Sequence, residues 1–203
     1  MVKRKPHEYL LAMLMLWLIG GLGLSNGTDG IREEAQGLLR QHGIAGTDAQ
    51  QILERLRQAE EKGLPTEKLL GRIREGTLKN AAPSNILAAL DLRIHALGQA
   101  ISLSRGLRSG AARGGNHASF IDNLARAIES GMNQHTVARV LETAARRGHR
   151  GGSNRIQTVI EAGEMLLLAG FDDHAVETFM LKCIANDPRR METLRIARSM
   201  IAE

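Results

Sequence analysis

The sequence predicts an all-α protein, either an αα-hairpin, helical-repeat-like array or an irregular helical bundle, following an N-terminal signal or anchor segment. Three observations predict this. Apolar residues recur at spacings of three and four, the period of one helix face, and no stretch of β-branched residues alternates with period two. Four breaks between these sets share one form, a Gly followed at once by an apolar residue: Gly43-Ile44, Gly63-Leu64, Gly131-Met132 and Gly170-Phe171. Aromatic residues make up only 2% of the chain, so the core must be built from Leu, Ile, Val, Ala and Met, which pack well between helices.

The first element is an address. Lys3, Arg4 and Lys5 precede an uncharged apolar run of 15 residues from Leu10 to Leu24. A membrane-spanning helix needs about 20 apolar residues, so this run has the length and charge order of a secretory leader. Gly23 and Ser25 stand at the −3 and −1 positions for a cut after Ser25, and Ser25 and Gly27 do so for a cut after Gly27. An uncut leader would anchor the chain in a membrane through residues 10–24. No cysteine lies in this segment, which excludes a lipoprotein anchor. The formal charge of +5 falls to about +3 once Lys3, Arg4, Lys5 and Glu8 are removed, a surplus that permits an acidic partner without demanding one.

The rest divides by pattern into a helical region over 28–104, a flexible Gly/Arg-rich loop over 105–116 and a second helical region over 117–203. In order, the apolar sets are Ile52, Leu53 and Leu56; Leu69, Leu70 and Ile73; and a long third running from Ile86 through Leu90, Ile94 and Leu97 to Ile101. Phe120, Ile121, Leu124 and Ile128 follow, then Val137, Val140 and Leu141; Ile156, Val159 and Ile160; Val176, Phe179 and Met180; and Leu194, Ile196 and Ile201. Each set predicts a helix with one apolar stripe.

The glycines between sets predict left-handed helix ends, with the next apolar residue folding back on the last turn. Thr47 or Asp48, Thr66 after Pro65, Asn133 and Asp172 are the expected starters of the following helices. After Gly63, Gly131 and Gly170, apolar residues recur six and ten positions on: Leu69 and Ile73, Val137 and Leu141, Val176 and Met180. The unit is an αα-hairpin by pattern. Gly131 and Gly170 are 39 residues apart but Gly63 and Gly131 are 68 apart, because a longer helix, a loop and an extra helix intervene. Well-capped turns in an ordinary bundle would leave the same marks.

Few residues carry recognisable chemistry. Arg105, Arg108 and Arg113 in the first Gly-rich loop, and Arg146, Arg147 and Arg150 in a shorter one, are candidates for contact with anions. Neither loop is a phosphate loop, since no strand precedes it and no Lys-Ser or Lys-Thr follows its glycines. No two histidines lie three or four apart, so no helix offers a two-His metal face, and no metal or other cofactor is expected. Asp172, Asp173, His174 and Glu177 read as the polar start of a helix. Glu161 and Glu164 read as an acid pair or a wet helix face. Cys183 is the one cysteine, so no intrachain disulfide forms, and its place among Val176, Phe179, Met180 and Ile184 predicts burial. No catalytic motif appears, and a buried cluster drawn from His95, His135, Glu161 and Glu164 would be needed to make an enzyme.

The expected role is therefore that of an exported protein-interaction or scaffold module of the cell envelope, periplasmic or extracellular, whose partner is another protein. The alternative is a binder of an anionic envelope component, a lipid head group or acidic polymer, through the arginine loops. Nucleic acid is not an expected partner of an exported chain, and membrane contact requires a retained leader. Recovered from a fractionated host, the protein should have an intact mass lacking the first 25 or 27 residues. A full-length mass in the cytoplasm would overturn the address and return nucleic acid as the leading partner.

Overall fold

The computed structural model describes residues 28–105, 117–147, 152–186 and 188–202. The leader, the loop residues Arg108 and Arg113, and Arg150 lie outside these. Among the described residues there are nine α-helices and no strand, as the apolar spacing predicts. They are α1 (Thr28–Gln41), α2 (Gly46–Glu61), α3 (Thr66–Leu78), α4 (Pro83–Arg105), α5 (His117–Glu129), α6 (Gln134–Arg146), α7 (Gly152–Leu168), α8 (Asp173–Asn186) and α9 (Arg190–Ala202). Two compact units divide the chain, the first ending at Leu90 and the second starting at Asp91, within α4.

The turns follow from the glycines. Gly43, Gly63, Gly131 and Gly170 all have positive φ, between 66° and 96°. In each turn the following residue reaches back: the amides of Ile44, Leu64, Met132 and Phe171 donate to the carbonyls of Leu39, Ala59, Ala127 and Leu166 at 2.9–3.1 Å. These bonds satisfy helix-end carbonyls that would otherwise lack partners. A fifth turn of the same kind uses Asn80 (φ 51°), with the Ala81 amide on the Gly76 carbonyl.

Two of the expected helix starters hold. Asn133 accepts from the His135 amide at 2.9 Å and Asp172 from the Ala175 amide at 2.7 Å. Two are corrected. Ala45 and Pro65 occupy the cap positions of α2 and α3 with extended backbone and no side-chain cap, so Thr47, Asp48 and Thr66 already lie inside their helices. The preceding glycine turns set the chain direction there, and the helices begin as soon as it allows.

In the first unit α1 packs on α2 and α3, around Ala35, Leu39, Ile52, Leu56, Ala59, Leu69 and Ile73. Gly76 admits Ile86 of the start of α4; a Cβ there would lie 2.7 Å from Ile86 Cγ1. In the second unit α7 is the common support: α5, α6, α8 and α9 all pack on it, and α6 also packs on α8. The residues six and ten after the repeat glycines are all buried: Leu69 and Ile73, Val137 and Leu141, Val176 and Met180.

Two charged groups are buried in this second unit. Arg93 of α4 is 5% exposed and pairs with Asp122 and with Glu129 of α5, the latter at 2.8 Å. Glu164 of α7 accepts from Arg126 Nε at 3.0 Å and Ser130 Oγ at 2.9 Å, both from the α5 end. A buried charge persists only with such partners. Glu164 is thus neither half of an acid pair nor on a wet face. Among the described helices only α4 is long and apolar enough to cross a membrane, by length and composition. Its buried Leu90, Ala96, Leu97 and Ala100 and its paired Arg93 give it a role in the helical core.

Gly163 lies next to Glu164 where α7 meets α8. A Cβ there would stand 2.5 Å from the Met180 sulfur and 2.9 Å from its Cγ. Gly163→Ala should therefore cost about 1–3 kcal/mol by overpacking. Gly98→Ala, at an exposed helical site with nothing within 4 Å of the added carbon, should instead gain about 1 kcal/mol of helix propensity. Chemical unfolding of both variants checks the pair.

Candidate functional site

The last apolar set departs from expectation. In α9 the residues turned to the core are Thr193 and Ala197, while Ile196 and Ile201 are 37% and 41% exposed and Met191 is 73% exposed. Thr193 can be buried because its hydroxyl donates to the Arg189 carbonyl at 3.3 Å. The helix thus buries one stripe on α7 and leaves apolar side chains open on another face.

That second stripe forms one wall of a groove. Glu192, Ile196 and Met200, spaced by four along α9, face α8 across a cavity of about 780 Å³. The α8 wall is a single helix face, running from His174 and Ala175 through Thr178, Phe179, Lys182 and Cys183 to Asn186. Pro188 and Arg189 close one end, and Arg155 of α7 donates to the Pro188 carbonyl, fixing that link. The floor is apolar, with Phe179 and Cys183 7% and 5% exposed. The rim is polar, and its charges are Lys182 and Arg189 against Glu192, with His174 exposed beside them.

Cys183 is buried, as its spacing predicts. Burial pushes its thiol up to about 11, with nearby Arg155 acting weakly in the opposite sense. The neutral thiol therefore predominates at neutral pH, which slows its reaction with electrophiles.

The arginines are distributed otherwise. Arg105 is exposed at the end of α4. Arg146 is exposed at the end of α6, where it donates to the Thr143 hydroxyl at 3.2 Å and borders a second depression of about 430 Å³ with Ser102, Leu103 and Glu142. Arg147 donates to the Ala185 carbonyl at 2.6 Å, bridging α6 to α8. None of these borders the α8–α9 groove. His95 is exposed beside Gln99, His135 is exposed in the first turn of α6, and Glu164 is buried with Arg126. Among the described residues no three His, Cys, Asp or Glu side chains are grouped to hold a metal ion. Glu177 accepts from the Thr136 hydroxyl at 3.1 Å and pairs with Arg139, tying α8 to α6.

No family model, curated protein or solved structure matches the chain. The α9 wall of the groove is not legible in the sequence because Ile196 counts by spacing as core. The available signal was the four-residue spacing of Thr193 and Ala197, which gives α9 a second, small-residue face.

Alkylation of Cys183 should be slow at pH 8 and accelerate as pH rises toward about 11. A thiol held above its ordinary value of 9.0 favours the folded state only while protonated. Stability from this group is therefore complete below about pH 9 and lost as pH rises to about 11. Cys183→Ala should remove that segment of the pH–stability curve, read by unfolding at several pH values.

Proposed function

We propose that the chain is an exported protein-interaction module of the cell envelope, with the groove between α8 and α9 as its docking surface. One observation carries the reading. An apolar floor, open between two helices and ringed by polar side chains, has the anatomy of an interface core and rim. The absence of tryptophan and tyrosine after residue 17 speaks against carbohydrate or base stacking as the mode of recognition. Export rests on the basic start and apolar run of the leader.

The second reading, binding of an anionic envelope component, is favoured by the exposure of Arg105 and Arg146 at helix ends. The two readings differ in salt dependence. An apolar groove keeps its partner in high salt, whereas arginine contacts weaken steeply.

A photo-crosslinking residue at position 196, and another at position 105, distinguishes them in the envelope fraction of a closely related host. The groove reading expects a discrete protein adduct from position 196 that persists in high salt. Adducts from position 105 alone, lost in high salt, would move the function to the arginines.

A further inference from the structure

We infer that the groove is a helix seat of the kind α6 offers α8, and that it takes an amphipathic, acid-bearing helix from another protein. The inference rests on the groove reading above and names its occupant.

The 39-residue spacing of Gly131 and Gly170 sets α6 and α8 in register. Residues of α6 that engage α8 are Thr136 and Arg139, both on Glu177, and Arg147, on the Ala185 carbonyl. Between them Val140 and Ala144 are buried. Moved on by 39 residues, these five positions are Ala175, Thr178, Asn186, Phe179 and Cys183. All five line the groove. The face of α8 that borders the cavity is therefore the face that α6 presents to α8.

The neighbouring helices obey the same rule. α5 packs on α7 and α7 on α9, while α8 lies against both α6 and α7. A further helix in that series would lie against both α8 and α9, which are the two walls of the groove. The α8 wall extends from His174 to Asn186, which at 1.5 Å per residue corresponds to a partner helix of about three to four turns.

Charge selects the kind of helix. In the filled position α8 itself is the incoming helix, and it meets Arg139 of α6 with the carboxylate of Glu177. The open groove offers Lys182 and Arg189 on its rim against Glu192. A second copy docking through its own α9 would bring exposed Arg190, Arg195 and Arg198 with only Glu192 to offset them. Like charge on like charge disfavours that arrangement, and an aliphatic stripe flanked by carboxylates fits.

The probe is a helix-locked peptide of residues 171–186 of this chain, with its cysteine replaced by serine, added to the full-length protein. It should bind, and at about ten times its Kd it should slow alkylation of Cys183 about tenfold. Ile196→Glu, a substitution at an exposed site, should abolish this protection while circular dichroism and thermal midpoint show the fold retained. Lys182→Glu should weaken binding about threefold, the scale of one exposed ion pair, and more at low salt. Absence of protection at millimolar peptide would overturn the inference, as would equal protection in Ile196→Glu. A free chain that is already dimeric, with Cys183 released by Ile196→Glu, would overturn it in favour of a second copy. Loss of the peptide effect with a persisting host adduct from position 196 would sink the helix seat and leave the interaction reading standing. Peptide protection with no adduct from position 196 in the host would support the seat and remove the proposed function.

Discussion

Glu164 lies buried in α7 with its two oxygens taken by Arg126 and Ser130, and the residue before it is a glycine pressed against Met180. These two adjacent positions join α7 to α5 on one side and to α8 on the other. A larger residue at 163 would push α8 away, and an unpaired carboxylate at 164 would be costly in an apolar setting. The arrangement of the second unit depends on this junction, since α9 also rests on α7 and Arg155 of the same helix holds the Pro188 link between α8 and α9. The groove lies between α8 and α9, which share one support in α7.

The turns transmit that arrangement along the chain. Each left-handed glycine reverses the path over a few residues and returns the following apolar side chain to the helix just completed. Because the Gly131 and Gly170 turns are alike, α6 and α8 leave them in the same register, and a face used internally once is offered again at the open side of the stack. Stacked helical hairpins share this property: each unit covers its predecessor and leaves its own far face to be covered. The polar contacts across the covered face, Thr136 and Arg139 on Glu177, change at the open face to Ala175 and Thr178, which makes the open face the more apolar of the two.

Much of the fold was legible because its determinants are local. The glycines at 43, 63, 131 and 170, the caps at Asn133 and Asp172, and the buried positions six and ten residues after three of those glycines all follow from backbone geometry over one or two turns. Cys183 followed from its place on an apolar stripe. The left-handed end at Asn80 lacks the glycine that marks the other four, although asparagine also tolerates that conformation. Thr47 and Thr66 were misplaced by one or two residues because the preceding turn, and not the side chain, sets where α2 and α3 begin. Glu164 could not be read, since Arg126 is 38 residues away and becomes its partner only once α5 meets α7. The groove was hidden for a related reason. Ile196 looks like core until α9 is seen to bury Thr193 and Ala197 instead, a choice made by contact with α7.

Amide hydrogen exchange along the second unit tests the central claim, that α9 is covered on its α7 side and open on the other. The account predicts the slowest exchange in α7, which is packed by four helices, and markedly faster exchange in α9, which rests on one. Protection of α9 equal to that of α7 in the free, monomeric chain would mean that its second face is covered already, and would contradict an open groove between α8 and α9.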